Sequence, residues 1–273
     1  MNNPYLTSFV SENLRSCQLK QLSILEEVAE ICNKHNINYW LDGGTLLGAV
    51  RHGGFIPWDD DIDIAMSLED MERFIKIAPQ HLSKNLFLQT PETDPTSNEP
   101  IIKIRDLNSL YIEAGDNFNI PYQKGLYIDI FPFIDYPTIP RSWVKKICKG
   151  ISKSYSILHK QHYYSLRSFA EFFYFEAKYW LFRFIWSILY IVCKKDKYIS
   201  NILHNNGYGI MHRKDSVYPL SKIKFEGKTF NAPGNVDAYL KDLYKNYMEI
   251  PPKDKQIVHA VYIHPELKKY DYE

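Results

Sequence analysis

The chain has 273 residues, 33 Lys and Arg against 32 Asp and Glu, and a formal net charge of +1 at pH 7. This length allows one large domain, or one domain with an insertion, around a buried core, and the balanced charge gives no case for nucleic-acid binding. Four widely spaced cysteines and an N-terminus without a basic start and apolar run argue against a disulfide framework, a zinc site or a signal peptide, so we expect a cytoplasmic protein.

The N-terminal region predicts a packing helix followed by a strand. Over about 16–35, apolar residues such as Leu22, Leu25 and Val28 recur at helical spacing. Ile37 to Leu41 then reads as a strand that leads into a glycine turn.

That turn, Gly43-Gly44-Thr45, runs into a short helical piece, Leu46 to Arg51. A glycine pair lets the backbone approach a ligand closely and present N–H groups to an anion. Glycine pairs are also ordinary turn residues, so the turn alone decides nothing.

A run of carboxylates follows at Asp59, Asp60, Asp61 and Asp63. Residues 61–66 alternate with period 2, which predicts a half-buried strand with Asp61 and Asp63 on one face. Oxygen ligands of this kind suit Mg²⁺ or Mn²⁺ with a substrate phosphate. A solvated loop is the alternative; a calcium loop is excluded because Ile64 stands where such a loop needs glycine.

The next elements surround this motif. A helix is expected from Ser67, a strand at Leu86–Gln89, a polar loop at 90–100, and a hairpin or two edge strands at Ile101–Arg105 and Ser109–Glu113. Lys103 and Arg105 share one face, for which solvent exposure is the default and a phosphate contact the alternative.

An apolar strand at 125–133 contains a single acid, Asp129. A buried carboxylate must be paired or act as a ligand, and a salt bridge to an arginine is one way to satisfy it. Asp135 is expected in a turn.

Residues 141–214 differ in character from the rest of the chain. They carry 14 Lys and Arg against 3 acids, leaving 19 against 29 elsewhere, and they are rich in Phe, Tyr and Trp. The longest uncharged run of mainly apolar residues, Phe184–Cys193, is about half the length of a membrane-spanning helix. We expect helices that either pack on the core or lie on an anionic membrane surface.

The C-terminal region returns to regular patterning. A hairpin is predicted from Ile223 to Phe230 around Gly227, then a helix from Val236 to Tyr247. The tail from Lys253, with His259, carries no readable signal.

The central motif begins with Gly43-Gly44-Thr45, continues with Arg51-His52-x-Gly54-x-Ile56-Pro57-Trp58-Asp59-Asp60 and ends with Asp61-Ile62-Asp63. This motif resembles the signature of the LicD family, which includes the fukutin-related proteins. The likeness covers roughly 20–136 and, weakly, 215–252. It implies an α+β fold with a nucleotidyltransferase-like mixed sheet flanked by helices. We expect a catalytic core at 16–136, a basic aromatic helical insert at 137–214 and a C-terminal part at 215–273.

The resemblance implies metal-dependent transfer of phosphocholine, or a similar phospho-alcohol, from CDP-choline or another CDP-alcohol. The acceptor would be a sugar hydroxyl of a cell-surface or capsular glycan. If the basic insert lies on a membrane, that glycan could be linked to a lipid. It implies Asp61, Asp63 and, from the neighbouring strand, Asp129 as ligands of Mg²⁺ or Mn²⁺, with Asp129 alternatively accepting the acceptor's proton. Gly43, Gly44 and Thr45 would hold donor phosphates. Arg51 and His52 would neutralise charge. Trp58, with Tyr39, Trp40 or Tyr127, would face a quaternary ammonium.

Three alternatives remain open. CDP-ribitol or CDP-glycerol would use the same apparatus. Nucleotidyl transfer from a nucleoside triphosphate fits the same fold. A non-catalytic module that binds polyanions or membranes through the basic insert belongs to a different class.

Overall fold

The computed structural model describes residues 4–96, 101–159 and 165–267. In these ranges the helices are α1 (Pro4–Lys34), α2 (Gly43–Arg51), α3 (Leu68–Ile77), α4 (Arg141–Leu158), α5 (Leu166–Val192), α6 (Lys214–Val217) and α7 (Val236–Tyr244), with 3₁₀ turns at Ala78–Gln80 and Lys253–Lys255. The strands are β1 (Trp40–Leu41), β2 (Asp63–Ser67), β3 (Leu86–Gln89), β4 (Ile102–Asp106), β5 (Leu110–Glu113), β6 (Tyr127–Tyr136), β7 (Tyr198–Asn201), β8 (His212–Arg213), β9 (Ser221–Phe225), β10 (Lys228–Ala232) and β11 (Ala260–His264). The α+β class is confirmed.

The chain divides into two compact units. The first contains the described residues of Met1–Pro132, Leu220–Pro233 and Tyr244–Glu273, and the second contains those of Phe133–Pro219 and Gly234–Leu243. The predicted boundaries at 136/137 and 214/215 stay a prediction, as does the kinship of the sheet with nucleotidyltransferases.

The first unit is built on a sheet with the strand order β1-β2-β6-β4-β3. β1 pairs antiparallel with β2, and β4 pairs antiparallel with both β6 and β3. All five residues of β4 are buried, which is expected of a strand with neighbours on both sides. The predicted edge position is therefore wrong for β4, and so is the hairpin. β5 pairs with β11 in a separate two-stranded sheet, where it is an edge strand as predicted.

Helix α1 begins at Pro4, well before the predicted start near residue 16. Its first turns contribute Val10, Leu14 and Cys17 to a buried cluster with Tyr111 of β5 and Ile263 of β11. Ile263 lies more than 200 residues away along the chain, so the local sequence pattern could not show that the helix extends back to Pro4.

Of three predictions about local structure, two are confirmed and one is wrong. Ser67 caps α3, since its hydroxyl accepts a hydrogen bond from the Asp70 N–H at 3.1 Å. The hairpin of β9 and β10 is confirmed. β2 starts only at Asp63, so Asp61 lies in the connection before the strand, not on the strand as predicted.

The second unit contains the helical segment that the sequence predicts, and two strands that it does not. The last residues of β6 pair with β7, which pairs with β8, and Asp135 is therefore in a strand, not a turn. α4 and α5 pack closely: a Cβ added at Gly150 would lie 2.4 Å from the Phe182 ring. Among the helices of the described ranges, none has the length and apolarity to cross a bilayer.

Candidate active site

The start of α2 lies against two carboxylates. A Cβ added at Gly43 would be 2.3 Å from Asp63 Oδ2, and one added at Gly44 would be 2.7 Å from Asp59 Oδ2. Gly43 also has a positive φ of 51°, which favours glycine. The two glycines are therefore required for the close approach of the carboxylates to the helix N-terminus, where backbone N–H groups favour negative charge.

Thr45 fixes the same corner from the side of the strand. Its hydroxyl accepts a hydrogen bond from the Asp63 N–H at 2.8 Å, and the Asp42 N–H donates to the Asp63 carbonyl at 3.0 Å. These bonds tie the first turn of α2 to the first residue of β2 and set the position of the Asp63 side chain.

Four carboxylates repel one another in this corner. Burial, followed by the charges of Asp59 and Asp129, raises the pKa of Asp61 well above its ordinary value. Burial, followed by Asp61 and Asp129, does the same for the pKa of Asp63. Burial and Asp60 raise the pKa of Asp59 to about 7. The predicted residue Asp129 is therefore close enough to Asp61 and Asp63 for its charge to raise their pKa values.

Asp129 has a cationic partner. Lys103 Nζ lies 2.7 Å from Asp129 Oδ1 across the β4–β6 register, and the Lys103 side chain is only 5% exposed. The same ammonium lies 3.8 Å from the centre of the Tyr127 ring. Solvent exposure, the default for Lys103, is wrong, because β4 is an interior strand.

Arg105 is also buried, but it is used within the fold. Its Nε donates to Gln89 Oε1 at 2.7 Å and its Nη1 to the Gly125 carbonyl at 2.8 Å. The default of solvent exposure is wrong here too, and these bonds assign Arg105 a structural contact.

Asp60 adds its charge to this repulsion, since it raises the pKa of Asp59 and Asp61, but its own oxygens are held by hydrogen-bond donors. Its Oδ2 accepts from the Ala260 N–H at 2.6 Å and from the Tyr111 hydroxyl at 3.1 Å, and its Oδ1 lies 3.3 Å from His259 Nδ1. The hydrogen bond that His259 donates to Asp60, reinforced by the charges of the carboxylates, raises the pKa of His259 to about 9. Asp60 therefore anchors the carboxylate loop to β5 and β11.

Two glutamines of α1 hold the same loop by its backbone. Gln18 Nε2 donates to the Asp59 carbonyl at 2.8 Å and Gln21 Nε2 to the Asp60 carbonyl at 2.8 Å. Both side chains are buried. The loop before β2 is consequently fixed by α1 on one side and by β11 on the other.

The family model described as LicD/FKTN/FKRP, nucleotidyltransferase domain, matches residues 36–155. This stretch contains the glycine start of α2, the carboxylate loop, Lys103 and Asp129. Residues 36–155 therefore form a LicD-family domain.

The relatives agree with this assignment. The lipopolysaccharide cholinephosphotransferase LicD of Haemophilus influenzae is 28% identical over 263 residues, covering 91% of this chain and 96% of the relative. Human ribitol 5-phosphate transferase FKRP is 50% identical over 112 residues, covering 40% of this chain and 19% of that protein. Mannosyltransferase regulator 4 of Saccharomyces cerevisiae is 25% identical over 118 residues, covering 41% of this chain and 10% of that protein.

The predicted substrate-binding residues Arg51 and His52 make different contacts. Arg51 Nη1 donates to the carbonyls of Tyr247 at 3.0 Å and Glu249 at 3.1 Å, so the guanidinium is partly used to hold the segment after α7. The Arg51 charge still acts on Asp59, where it offsets part of the increase in pKa that burial and Asp60 cause. His52 lies edge-on to Trp58 with ring centres 6.2 Å apart.

The aromatic residues that were expected to face a quaternary ammonium also differ in their exposure. Tyr39 and Trp40 are 1% and 0% exposed, so a ligand-facing role for them is wrong. Tyr127 is 4% exposed and already lies against Lys103. Trp58 is half-buried and lines a groove of about 560 Å³ together with α1 and the residues just before and within β11.

Two residues of the LicD-domain site lay outside the sequence prediction. His259 reaches the carboxylate loop only because β11 pairs with β5. Tyr244 faces the same cluster: although 43% of the residue is exposed, desolvation of the phenol and the charges of Asp63 and Asp42 raise its pKa. The weak likeness of residues 215–252 to the LicD family is the sequence signal that could have pointed to Tyr244.

The carboxylates fit a divalent cation. Within the described ranges, ligand atoms of Asp60, Asp61 and His259 lie within 4.8 Å of one another. Only Asp61 is shared with the predicted set of Asp61, Asp63 and Asp129. The two sets differ chemically, because Asp60 is satisfied by protein donors whereas Asp61 and Asp63 have carboxylates as their strongest charged neighbours.

Proposed function

We propose that this chain is a LicD-type phosphotransferase that moves phosphocholine, or a similar phospho-alcohol, from a CDP-activated donor to a sugar hydroxyl of a glycan and releases CMP. The observation that carries the proposal is the cluster of mutually repelling carboxylates held against the glycine start of α2. It is supported by relatives named as a cholinephosphotransferase and a ribitol 5-phosphate transferase.

We assign Mg²⁺ or Mn²⁺ to Asp61 and Asp63, with Asp129 beside them. The energetic argument is that buried like charges destabilise one another unless a cation or protons neutralise them. Asp60 and His259 are better explained as an anchor, because His259 Nδ1 lies against Asp60 Oδ1 and both Asp60 oxygens already have protein partners. When bound, the cation would offset the charge of the donor's diphosphate and of the departing CMP.

The chain's own groups then have distinct tasks. The backbone N–H groups at Gly43 and Gly44 would hold the donor phosphates, while Thr45 keeps Asp63 in place. Arg51, at the far end of α2, would add positive charge on the donor side. Burial and the Arg51 charge lower the pKa of His52, so its imidazole would contribute a hydrogen bond there and not a charge. In the transfer, the sugar oxygen attacks phosphorus, the bond from phosphorus to the CMP oxygen breaks, and Asp129 takes the hydroxyl proton while Lys103 holds its Oδ1.

The donor and acceptor are assigned by chemistry. Choline and ribitol donors share the CDP diphosphate and differ only in the alcohol, so the same phosphate and cation groups serve both. Trp58, at the groove wall, is the aromatic group available for a quaternary ammonium. A lipid-linked glycan on the cytoplasmic side, where CDP donors are made, is the acceptor class we propose.

The test is release of CMP from CDP-choline with Mg²⁺ or Mn²⁺ and a mixed glycan acceptor pool. We expect cation-dependent release that Asp61→Asn and Asp63→Asn each reduce by more than about 100-fold. Glu72→Gln is the matched control, since it makes the corresponding change on the exposed side of α3.

The donor panel separates the alternatives. Release from CDP-ribitol or CDP-glycerol, but not from CDP-choline, would keep the reaction and change the alcohol. Nucleotide left on the acceptor from a nucleoside triphosphate would mean nucleotidyl transfer. Absence of turnover with every donor and acceptor, in a folded protein, would overturn the proposal in favour of a binding module.

A further inference from the structure

Helix α5 carries a continuous apolar face that is open to solvent. We call it the α5 stripe; its members are 44–91% exposed and are Leu166, Phe169, Phe173, Trp180, Leu181, Phe184, Ile188 and Ile191. The helix has 27 residues and buries only Trp186. Exposed apolar patches of this kind mark interaction sites.

The spacing places the stripe on one side of the helix. At about 100° per residue, its members fall within an arc of about 120°, and the other residues in that arc are Ala170, Ala177 and Ser187. The helix extends over about 40 Å at 1.5 Å per residue. No charged residue lies in the arc, so a flat apolar surface is available along the whole of α5.

Cations lie along the flanks of this face. The Arg183 guanidinium is 5.6 Å from the centre of the Trp180 ring, and Lys178 Nζ is 5.7 Å from that of Tyr174. The preceding helix α4 exposes four further lysines: Lys145, Lys146, Lys149 and Lys153. Against 14 Lys and Arg, residues 141–214 contain only 3 acids.

We propose that the α5 stripe lies flat on the surface of a lipid bilayer that carries anionic headgroups. Phe, Trp and aliphatic side chains would enter the boundary between headgroups and acyl chains, with Lys and Arg held at the headgroups. This inference does not depend on the phosphotransferase assignment, and it would bring the chain to the surface where a lipid-linked acceptor resides.

The other occupants of this face fit less well. A spanning arrangement is disfavoured by five charged side chains on the rest of the helix surface: Arg167, Glu171, Glu176, Lys178 and Arg183. A second copy of the chain would bring two strongly basic segments together, and the repulsion would oppose association. An anionic bilayer instead complements the charge.

The experiment is flotation of the full-length protein with vesicles. Vesicles of phosphatidylcholine alone are compared with vesicles in which roughly one-third of the lipid is phosphatidylglycerol. We expect binding to the anionic vesicles that high salt weakens, and a loss of at least about tenfold in the double variant Phe173→Glu/Phe184→Glu.

The matched control is Phe118→Glu/Tyr208→Glu, which removes two exposed rings outside the stripe and changes the charge equally. It should retain most of the binding. If the Phe173→Glu/Phe184→Glu protein does not fold by circular dichroism, Leu166→Ser/Ile191→Ser at the two exposed ends of α5 serves instead.

Three results would overturn the proposal. The first is that wild type floats with neither kind of vesicle. The second is that both double variants lose binding equally, which would mean attraction by charge alone. The third is that light scattering shows a wild-type dimer that the α5-stripe variant dissociates, which would assign the face to a second copy.

Discussion

Replacing Gly43 by alanine should reduce activity far more than it reduces stability. The added Cβ would lie 2.3 Å from Asp63 Oδ2, about 1 Å inside ordinary contact, and the Asp63 carboxylate would have to move by about that distance. A displacement of this size at reacting groups costs about 100-fold in rate. The positive φ of 51° adds backbone strain of about 1–2 kcal/mol.

A glycine in the β9–β10 turn separates the two effects. Gly227 has a φ of 76°, and a Cβ there would meet nothing within 4 Å. Gly227→Ala therefore imposes a comparable strain of about 1–2 kcal/mol without touching a carboxylate. Gly44→Ala is the complement, since it has an ordinary φ and brings a Cβ to 2.7 Å from Asp59 Oδ2.

The assay is CMP release together with urea unfolding of each variant. We expect Gly43→Ala and Gly227→Ala to lose similar stability, but only Gly43→Ala to lose about 100-fold in kcat/KM. Equal activity of these two variants would refute the idea that the glycine serves the approach of Asp63.

Three further predictions use the same assays. Lys103→Met should destabilise the protein by about 3–5 kcal/mol in urea unfolding, because it leaves Asp129 without its ammonium partner. Asp60→Asn should cost about 1–3 kcal/mol, because its one carbonyl oxygen can serve either the Ala260 N–H and the Tyr111 hydroxyl, which share Oδ2, or His259 at Oδ1, and the amide N–H₂ then faces the remaining donor. Without divalent cations, stability should fall as pH rises from 3.8 to about 7, because folded Asp59 holds its proton over that window whereas unfolded Asp59 does not. The thermal shift caused by Mg²⁺ should accordingly be larger near about pH 8 than near about pH 5.

Each of these has a control. Lys76→Met, on the exposed side of α3, should change the unfolding free energy by less than about 0.5 kcal/mol. A Lys103→Met protein as stable as wild type would contradict the buried pair. A Tyr111→Phe variant should show part of the Asp60→Asn effect, and an unaffected Asp60→Asn protein would remove its anchoring role. An Mg²⁺ shift independent of pH would show that the cation does not compete with protons for these carboxylates.

The parts of the structure that the sequence predicted are those set by neighbouring residues. The turn at Gly43 and Gly44, the Ser67 cap of α3 and the hairpin around Gly227 each depend on a few adjacent side chains. Asp129 could be singled out because one acid in an apolar strand demands a partner.

The parts that the sequence did not predict depend on distant pairing. Whether Lys103 is buried or exposed is decided by β3 and β6 on either side of β4, and alternation alone could not show that both neighbours exist. His259 reaches Asp60 only through the pairing of β11 with β5. The first turns of α1 are helical because the same β11 covers them.

The most direct test of the account is Mn²⁺ binding, measured by calorimetry for wild type, Asp63→Asn and His259→Gln. Asp63 belongs only to the set of ligands proposed for the cation, and His259 only to the anchor around Asp60. The account predicts that Asp63→Asn weakens Mn²⁺ binding by more than about tenfold, while His259→Gln leaves it intact. Loss of Mn²⁺ in His259→Gln with unchanged binding in Asp63→Asn would contradict the account and place the cation at Asp60, Asp61 and His259.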